Sequence, residues 1–170
     1  MAHVLILDDN ATVREGVATV VHRMGHKASV APGGREGLDL LRAAPDDVDV
    51  IITDLKMEPV DGMAVLKGSL ELDRAAVVMI MTAHGSVRTA VDAMQAGAFD
   101  FIEKPFPADL LRTKLERCLE VRDERRRSDR LARENAYLRD ELRGGGATDP
   151  LDRLVGDSEP MQRLKRLIQR

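Results

Sequence analysis

Aromatic residues are nearly missing from this chain of 170 residues, which has three Phe, one Tyr and no Trp. Any core must therefore be filled by Val, Ile, Leu, Met and Ala. A single cysteine, Cys118, excludes an internal disulfide framework. No apolar run approaches the roughly 20 residues of a membrane-crossing helix, and no charged-then-apolar leader is seen. Neither export nor membrane insertion is expected, and a reducing cytoplasm fits the cysteine usage. Excess positive charge is missing too: 26 Lys and Arg stand against 29 Asp and Glu, a net charge of −3. That balance argues against a chain that coats DNA or an anionic membrane, so no direct nucleic-acid contact is expected.

What is present is enough for one buried domain of about 100–150 residues with an appendage. Short apolar runs rich in branched residues recur at His3–Leu7, Val48–Thr53 and Val77–Met81. They are too short for helices and lack the alternation of a half-exposed strand, so they read as strands buried on both faces. Between them lie stretches with helical spacing at Thr12–Met24, Gly34–Ala43, Gly62–Leu72 and Ser86–Ala96, punctuated by Gly25, Pro32-Gly33-Gly34, Pro45 and Gly97. Weaker strands at Lys27–Val30 and Phe99–Ile102, and a helix beginning near Pro107, complete five β/α repeats. The expected fold is α/β, a doubly wound five-stranded parallel sheet with helices on both faces and a crevice at the carboxyl ends of its strands.

From Glu116 to Arg143 the chain has no Gly or Pro and is rich in Arg, Glu, Asp, Leu and Ala, a helix composition with too little apolar content for a core. Leu131, Asn135, Leu138 and Leu142 follow one another in steps of four, three and four, and Val121 falls in the same frame. This is a short, imperfect heptad seam through which two chains can pair, with Asn135 placed to set register. A helix running unbroken from Pro107 to Leu142 is roughly 54 Å long at 1.5 Å per residue. Gly144-Gly145-Gly146 ends it, and Leu151–Arg170 reads as a fragment of a further domain.

The chemistry gathers at strand ends. Asp8-Asp9 follow the first strand, Asp54 the third, Thr82 the fourth and Lys104 the fifth. In a parallel sheet these ends share one edge, so three acids, a hydroxyl and an ammonium meet in one pocket. Each residue alone is as well explained as a helix cap or a solvated charge. Together they form a chemically consistent set. Three close carboxylates repel unless a cation joins them, and Mg²⁺, a hard ion that takes carboxylate and phosphate oxygens, suits the set. One carboxylate can then act as nucleophile toward a phosphoryl donor.

Asp8-Asp9, Asp54, Asp61-Gly62, Thr82-Ala83 and Lys104-Pro105-Phe106 together resemble the motifs of response regulator receiver domains, over residues 1 to about 120. The resemblance implies that Asp54 is phosphorylated by a sensor histidine kinase, and that Asp8, Asp9, Asp54 and the backbone carbonyl of Lys56 hold Mg²⁺. It also implies that Thr82 and Lys104 bind the phosphoryl oxygens, that Phe101 turns inward with Thr82 as the switch, and that the Lys104-Pro105 peptide is cis. The family usually has proline four residues after the phosphoacceptor; here Glu58 stands there, followed by Pro59, so the loop beside the site is expected to differ.

Leu154-Val155-Gly156-Asp157-Ser158 with Met161 resembles the opening of the AAA+ ATPase domain in regulators similar to nitrogen regulatory protein C, which activate sigma-54 RNA polymerase. The implied organisation is a receiver at 1–120, a helical dimerisation linker at 121–143, a flexible connector at 144–153 and the start of an ATPase domain at 154–170. The full-length parent would contact sigma-54 RNA polymerase and DNA, and the linker would support a homodimer. No Gly-rich phosphate loop follows, so ATP hydrolysis by this chain is not expected. Two other classes compete. An aspartate-nucleophile hydrolase of the haloacid dehalogenase type would carry Asp-x-Asp, whereas here the pair is adjacent; a phosphorylation-independent dimerisation module would have no use for Asp54, Thr82 and Lys104 together.

Overall fold

Alternating strands and helices build one parallel sheet in the computed structural model, which describes residues 1–44, 47–73, 75–83 and 87–144. In chain order the elements are β1 (His3–Leu7), α1 (Ala11–Arg23), β2 (Lys27–Ala31), α2 (Gly34–Ala43), β3 (Val50–Asp54), α3 (Gly62–Leu72), β4 (Val77–Ala83), α4 (Val87–Gln95), β5 (Asp100–Lys104) and α5 (Ala108–Gly144). The strand order is β2-β1-β3-β4-β5, every pair parallel. The chain reverses direction of winding between β1 and β3, which is where a doubly wound sheet opens a crevice at the carboxyl ends of its strands.

Sidedness follows from the two-residue period of a strand. Leu5, Leu7, Ile51, Val78 and Ile80 point into one apolar layer with Leu38, Leu41, Val65, Leu66 and Ala93 from α2, α3 and α4. Val4, Ile6, Val50, Ile52, Met79 and Met81 point into the other, against Val17 and Val21 of α1 and Leu111, Leu115 and Cys118 of α5. With both faces covered, every residue of β1 and β3 is buried, and this is why those strands read as continuous apolar runs. The edge strands β2 and β5 have mixed burial, which is why their sequence signal is weaker. Cys118 is fully enclosed in the second layer, and burial, with the Asp100 charge nearby, pushes its thiol up to about 12. It serves as a small apolar residue.

Several boundaries move toward the crevice. The third strand runs Val50–Asp54 instead of Val48–Thr53, because its pairing continues to Asp54 opposite Met81. The fourth includes Thr82 and Ala83, and the fifth is Asp100–Lys104 instead of Phe99–Ile102. Thr82 and Lys104 are thus strand residues in a paired ladder, held more rigidly than loop residues would be.

The stretch after residue 116 also departs from expectation. Its low apolar content pointed away from the core, yet Cys118 is fully buried, Leu119 and Val121 pack against the second layer, and Arg122 is 4% exposed. Contacts divide the chain into Met1–Arg127 and Ser128–Arg170, so residues 121–127 go with the sheet. Within the second unit Leu131 is exposed, Asn135 donates its side-chain amide to the Leu131 carbonyl at 3.0 Å, and Arg130 pairs with Glu134. Gly144 of the expected connector at 144–153 still belongs to α5, and the side chains of Leu138 and Leu142, the rest of the connector and the segment 154–170 lie outside the described residues.

Candidate functional site

Asn10 explains why the chain turns where it does after β1. Its side chain accepts from the backbone N–H groups of Thr12 and Val13 and caps α1, so Asp8 and Asp9 are left at the sheet edge. Asp8 is completely buried. One of its carboxylate oxygens accepts from the Asn10 backbone N–H at 2.9 Å and the other from Lys104 Nζ at 2.7 Å. Its backbone carbonyl accepts from Arg14 at 2.6 Å.

Asp54, 8% exposed, ends β3, and its Oδ1 lies 3.0 Å from the same Lys104 Nζ. Asp61 caps α3 through the Ala64 N–H, and the following Gly62 passes directly beneath the end of β3. A Cβ there would run into the Asp54 carbonyl oxygen and Leu55 Cα, so the close approach of α3 to the site requires glycine.

One ligand atom each from Asp8, Asp9 and Asp54 falls within 4.8 Å of the others. The sheet therefore brings together all three acids with Lys104, as strand order requires. Burial pushes the Asp54 carboxyl above its ordinary value; Lys104 opposes that shift, and the charge of Asp8 adds to it. For Lys104, burial disfavours the ammonium, but hydrogen bonds and charge from Asp8 and Asp54 outweigh it and hold its pKa above the usual lysine value. The lysine is an ion-pair hub with 22% of its side chain exposed. A donor set made only of carboxylate oxygens suits a hard divalent cation such as Mg²⁺, and three acids facing one ammonium leave negative charge for it to neutralise.

Thr82 is 2% exposed at the neighbouring strand end, its hydroxyl 3.4 Å from the Ala83 carbonyl. Lys56 is exposed on a cavity of about 590 Å³ whose walls include Asp9, Met57, Glu58, Asp61 and Thr89. Two cis peptides flank the site, at the expected Lys104-Pro105 and at Glu58-Pro59. The second lies in the loop where proline placement differs from the family's habit.

Phe101 stands on β5 with 37% exposure, its ring 5.7 Å from Lys114 Nζ. Lys114 in turn grips both Asp100 carboxylate oxygens at 2.8 and 2.7 Å. Sequence reasoning named Phe101 but neither Arg14 nor the Asp100–Lys114 pair. Those contacts depend on which face of α1 and α5 meets the sheet, and no local motif announces them.

Comparison with known proteins agrees with this fold. The profile of the response regulator receiver domain matches residues 4–116. The chain is 36% identical over 171 aligned positions to the C4-dicarboxylate transport transcriptional regulatory protein DctD of Pseudomonas aeruginosa, covering 97% of this chain and 33% of that protein. It is 36% identical over 118 positions to the regulatory protein AtoC of Escherichia coli, covering 69% of this chain and 25% of that one. Among solved structures, a receiver domain protein from Clostridium thermocellum superposes with a TM-score of 0.68 at 29% identity, over 71% of this chain and 95% of that one. NtrX from Brucella abortus gives 0.68 at 30% identity, over 99% of this chain and 34% of that one. The chain spans about a third of the length of these regulators or less.

Proposed function

The chain belongs to the response regulator receiver domain family, and from that premise we propose that Asp54 accepts a phosphoryl group from a sensor histidine kinase and that the resulting charge switches the domain. The observation that carries this reading is the shared lysine: Lys104 Nζ is 2.7 Å from Asp8 and 3.0 Å from Asp54, so nucleophile, acidic partner and cation already face one point.

In the reaction an Asp54 carboxylate oxygen attacks phosphorus in line with the P–N bond of a phosphohistidine. The O–P bond forms, the P–N bond breaks, and imidazole leaves with the electron pair. Lys104 favours the ionised carboxylate before attack and remains beside the phosphoryl oxygens after it. Asp8, Asp9 and Asp54, with the backbone carbonyl of Lys56, would hold Mg²⁺, which when bound offsets the negative charge of the phosphoryl oxygens. The Thr82 hydroxyl, at the adjacent strand end, is the donor that turns to the new phosphate, and Phe101 moves inward as it does. The domain is a switch modified once per signal and not an enzyme with a separate substrate; a role in ATP hydrolysis is not proposed for it.

DctD is a transcriptional regulatory protein and AtoC a regulatory protein, which supports a cytoplasmic protein whose full-length form governs a sigma-54-activating AAA+ domain. In that form residues 121–143 would be the dimer linker and 154–170 the beginning of the ATPase domain. No described helix is long and apolar enough to cross a membrane. The test is intact-mass measurement after incubation with acetyl phosphate and Mg²⁺. One added phosphoryl group, missing from Asp54→Asn, is the expected result; an equal gain in the variant, or none in the wild type, contradicts the proposal.

A further inference from the structure

At the end of the sheet opposite the crevice, α5 is bound to the strands by three arginines in a five-residue stretch. Arg122 donates to the Ala75 carbonyl at 2.9 Å and pairs with Asp73 at 2.9 Å. Arg125 donates to the carbonyls of Ala75 at 3.3 Å and Ala76 at 3.0 Å. Arg126 pairs with Asp49 at 2.6 Å, and the other Asp49 oxygen accepts from the His3 backbone N–H at 2.7 Å. These residues sit at the beginnings of three strands: His3 opens β1, Asp49 precedes β3, and Ala75 and Ala76 precede β4. The strands that carry Asp54 and Thr82 at one end are thus tied to α5 at the other.

The contacts fit arginine chemistry. Carbonyls at the start of a buried strand need donors, and a planar guanidinium with five N–H groups can serve several converging oxygens at once. Arg122 is buried, and charge-assisted hydrogen bonds in such a setting are stronger than exposed ion pairs.

We propose that Arg122, Arg125 and Arg126 form an anchor that makes α5 to Arg127 one body with β3 and β4, so that a change at Asp54 and Thr82 reaches the root of the linker helix through those strands. This rests on the switching role proposed above. The anchor adds a device to it: the helix that leaves the domain is held by the floor of the sheet as well as by its apolar face.

Amide hydrogen exchange on the 170-residue chain tests it, comparing wild type with Arg125→Gln/Arg126→Gln and with Asp49→Asn, with and without acetyl phosphate and Mg²⁺. Arg126 has 43% of its side chain exposed, and Asn at position 49 still accepts from His3, so these variants spare the core. Unphosphorylated wild type should protect residues 119–127 better than 130–137, and the double variant should speed exchange in 119–127 by roughly tenfold or more. Phosphorylation should alter exchange in 119–127 of wild type and lose that effect in the double variant, with the gain in mass unchanged. Exchange in 119–127 as fast as in 130–137, or unaltered by the substitutions, overturns the anchor. An equal phosphorylation response in the double variant overturns the coupling. A wild type that takes up no phosphoryl group removes the switching role, while exchange in the unphosphorylated protein still decides the anchor.

Discussion

Lys104 decides the electrostatics of the crevice, because two buried carboxylates share its ammonium. Replacing it in Lys104→Met leaves Asp8, with no exposure at all, without its cation. In metal-free buffer that should cost on the order of 3 kcal/mol. Added Mg²⁺ should raise the melting temperature of this variant more than that of wild type, since the cation binds only the folded site; no rise in either protein would count against the carboxylates as a metal site. Asp54 carries the opposite lesson. Burial raises its folded-state pKa above the ordinary 3.8. Below that value the carboxyl is protonated folded or unfolded, and no penalty arises. As pH climbs from 3.8 through the raised value, the folded state must give up a proton it holds more tightly, and stability falls. The charge at neutral pH is therefore a cost of function, and Asp54→Asn should melt higher than wild type at pH 7 without metal, the gap closing on acidification toward pH 4. A variant that melts lower at pH 7 would show that the Lys104 pair outweighs burial.

At the scale of elements, the site depends on how closely α3 approaches β3. Gly62→Ala places a methyl against the backbone of Asp54 and Leu55, and forced overpacking of this kind typically costs about 1–3 kcal/mol. Because the atoms displaced belong to the strand end that carries the proposed acceptor Asp54, the rate of phosphoryl uptake from acetyl phosphate should fall together with stability. A stable Gly62→Ala protein with the wild-type rate would mean that the loop relaxes freely. The elements also show what was legible. Helices α2 and α3 coincide with their expected spans because Gly33-Gly34 and Asp61-Gly62 punctuate them. Strands β1, β3 and β4 were plain because both faces are buried. The crevice set of Asp8, Asp9, Asp54, Thr82 and Lys104 was legible because strand ends in a parallel sheet share an edge. Contacts made by helix faces were not: Arg14 under Asp8, Lys114 on Asp100 and beside Phe101, and the arginines of α5 are charged residues in charged surroundings, and only the tertiary fold separates a solvated arginine from one 4% exposed.

For the molecule as a whole, the sheet places Asp54 and its neighbours at one end of β1, β3, β4 and β5 and the arginine contacts of α5 at the other, so in the proposed switch the strands are the path between signal and linker. The composition of the last helix hid this, because polar residues there look solvated by count even when an arginine is buried. Everything downstream depends on Asp54 being the acceptor. The most direct test is to treat the protein with acetyl phosphate and Mg²⁺, reduce it with borohydride, which converts an aspartyl phosphate to homoserine, and map peptides by mass spectrometry. Homoserine at position 54 alone is the predicted result; homoserine at position 8 or 9 instead, or at no aspartate, would contradict the assignment of this crevice as a phosphoacceptor site centred on Asp54.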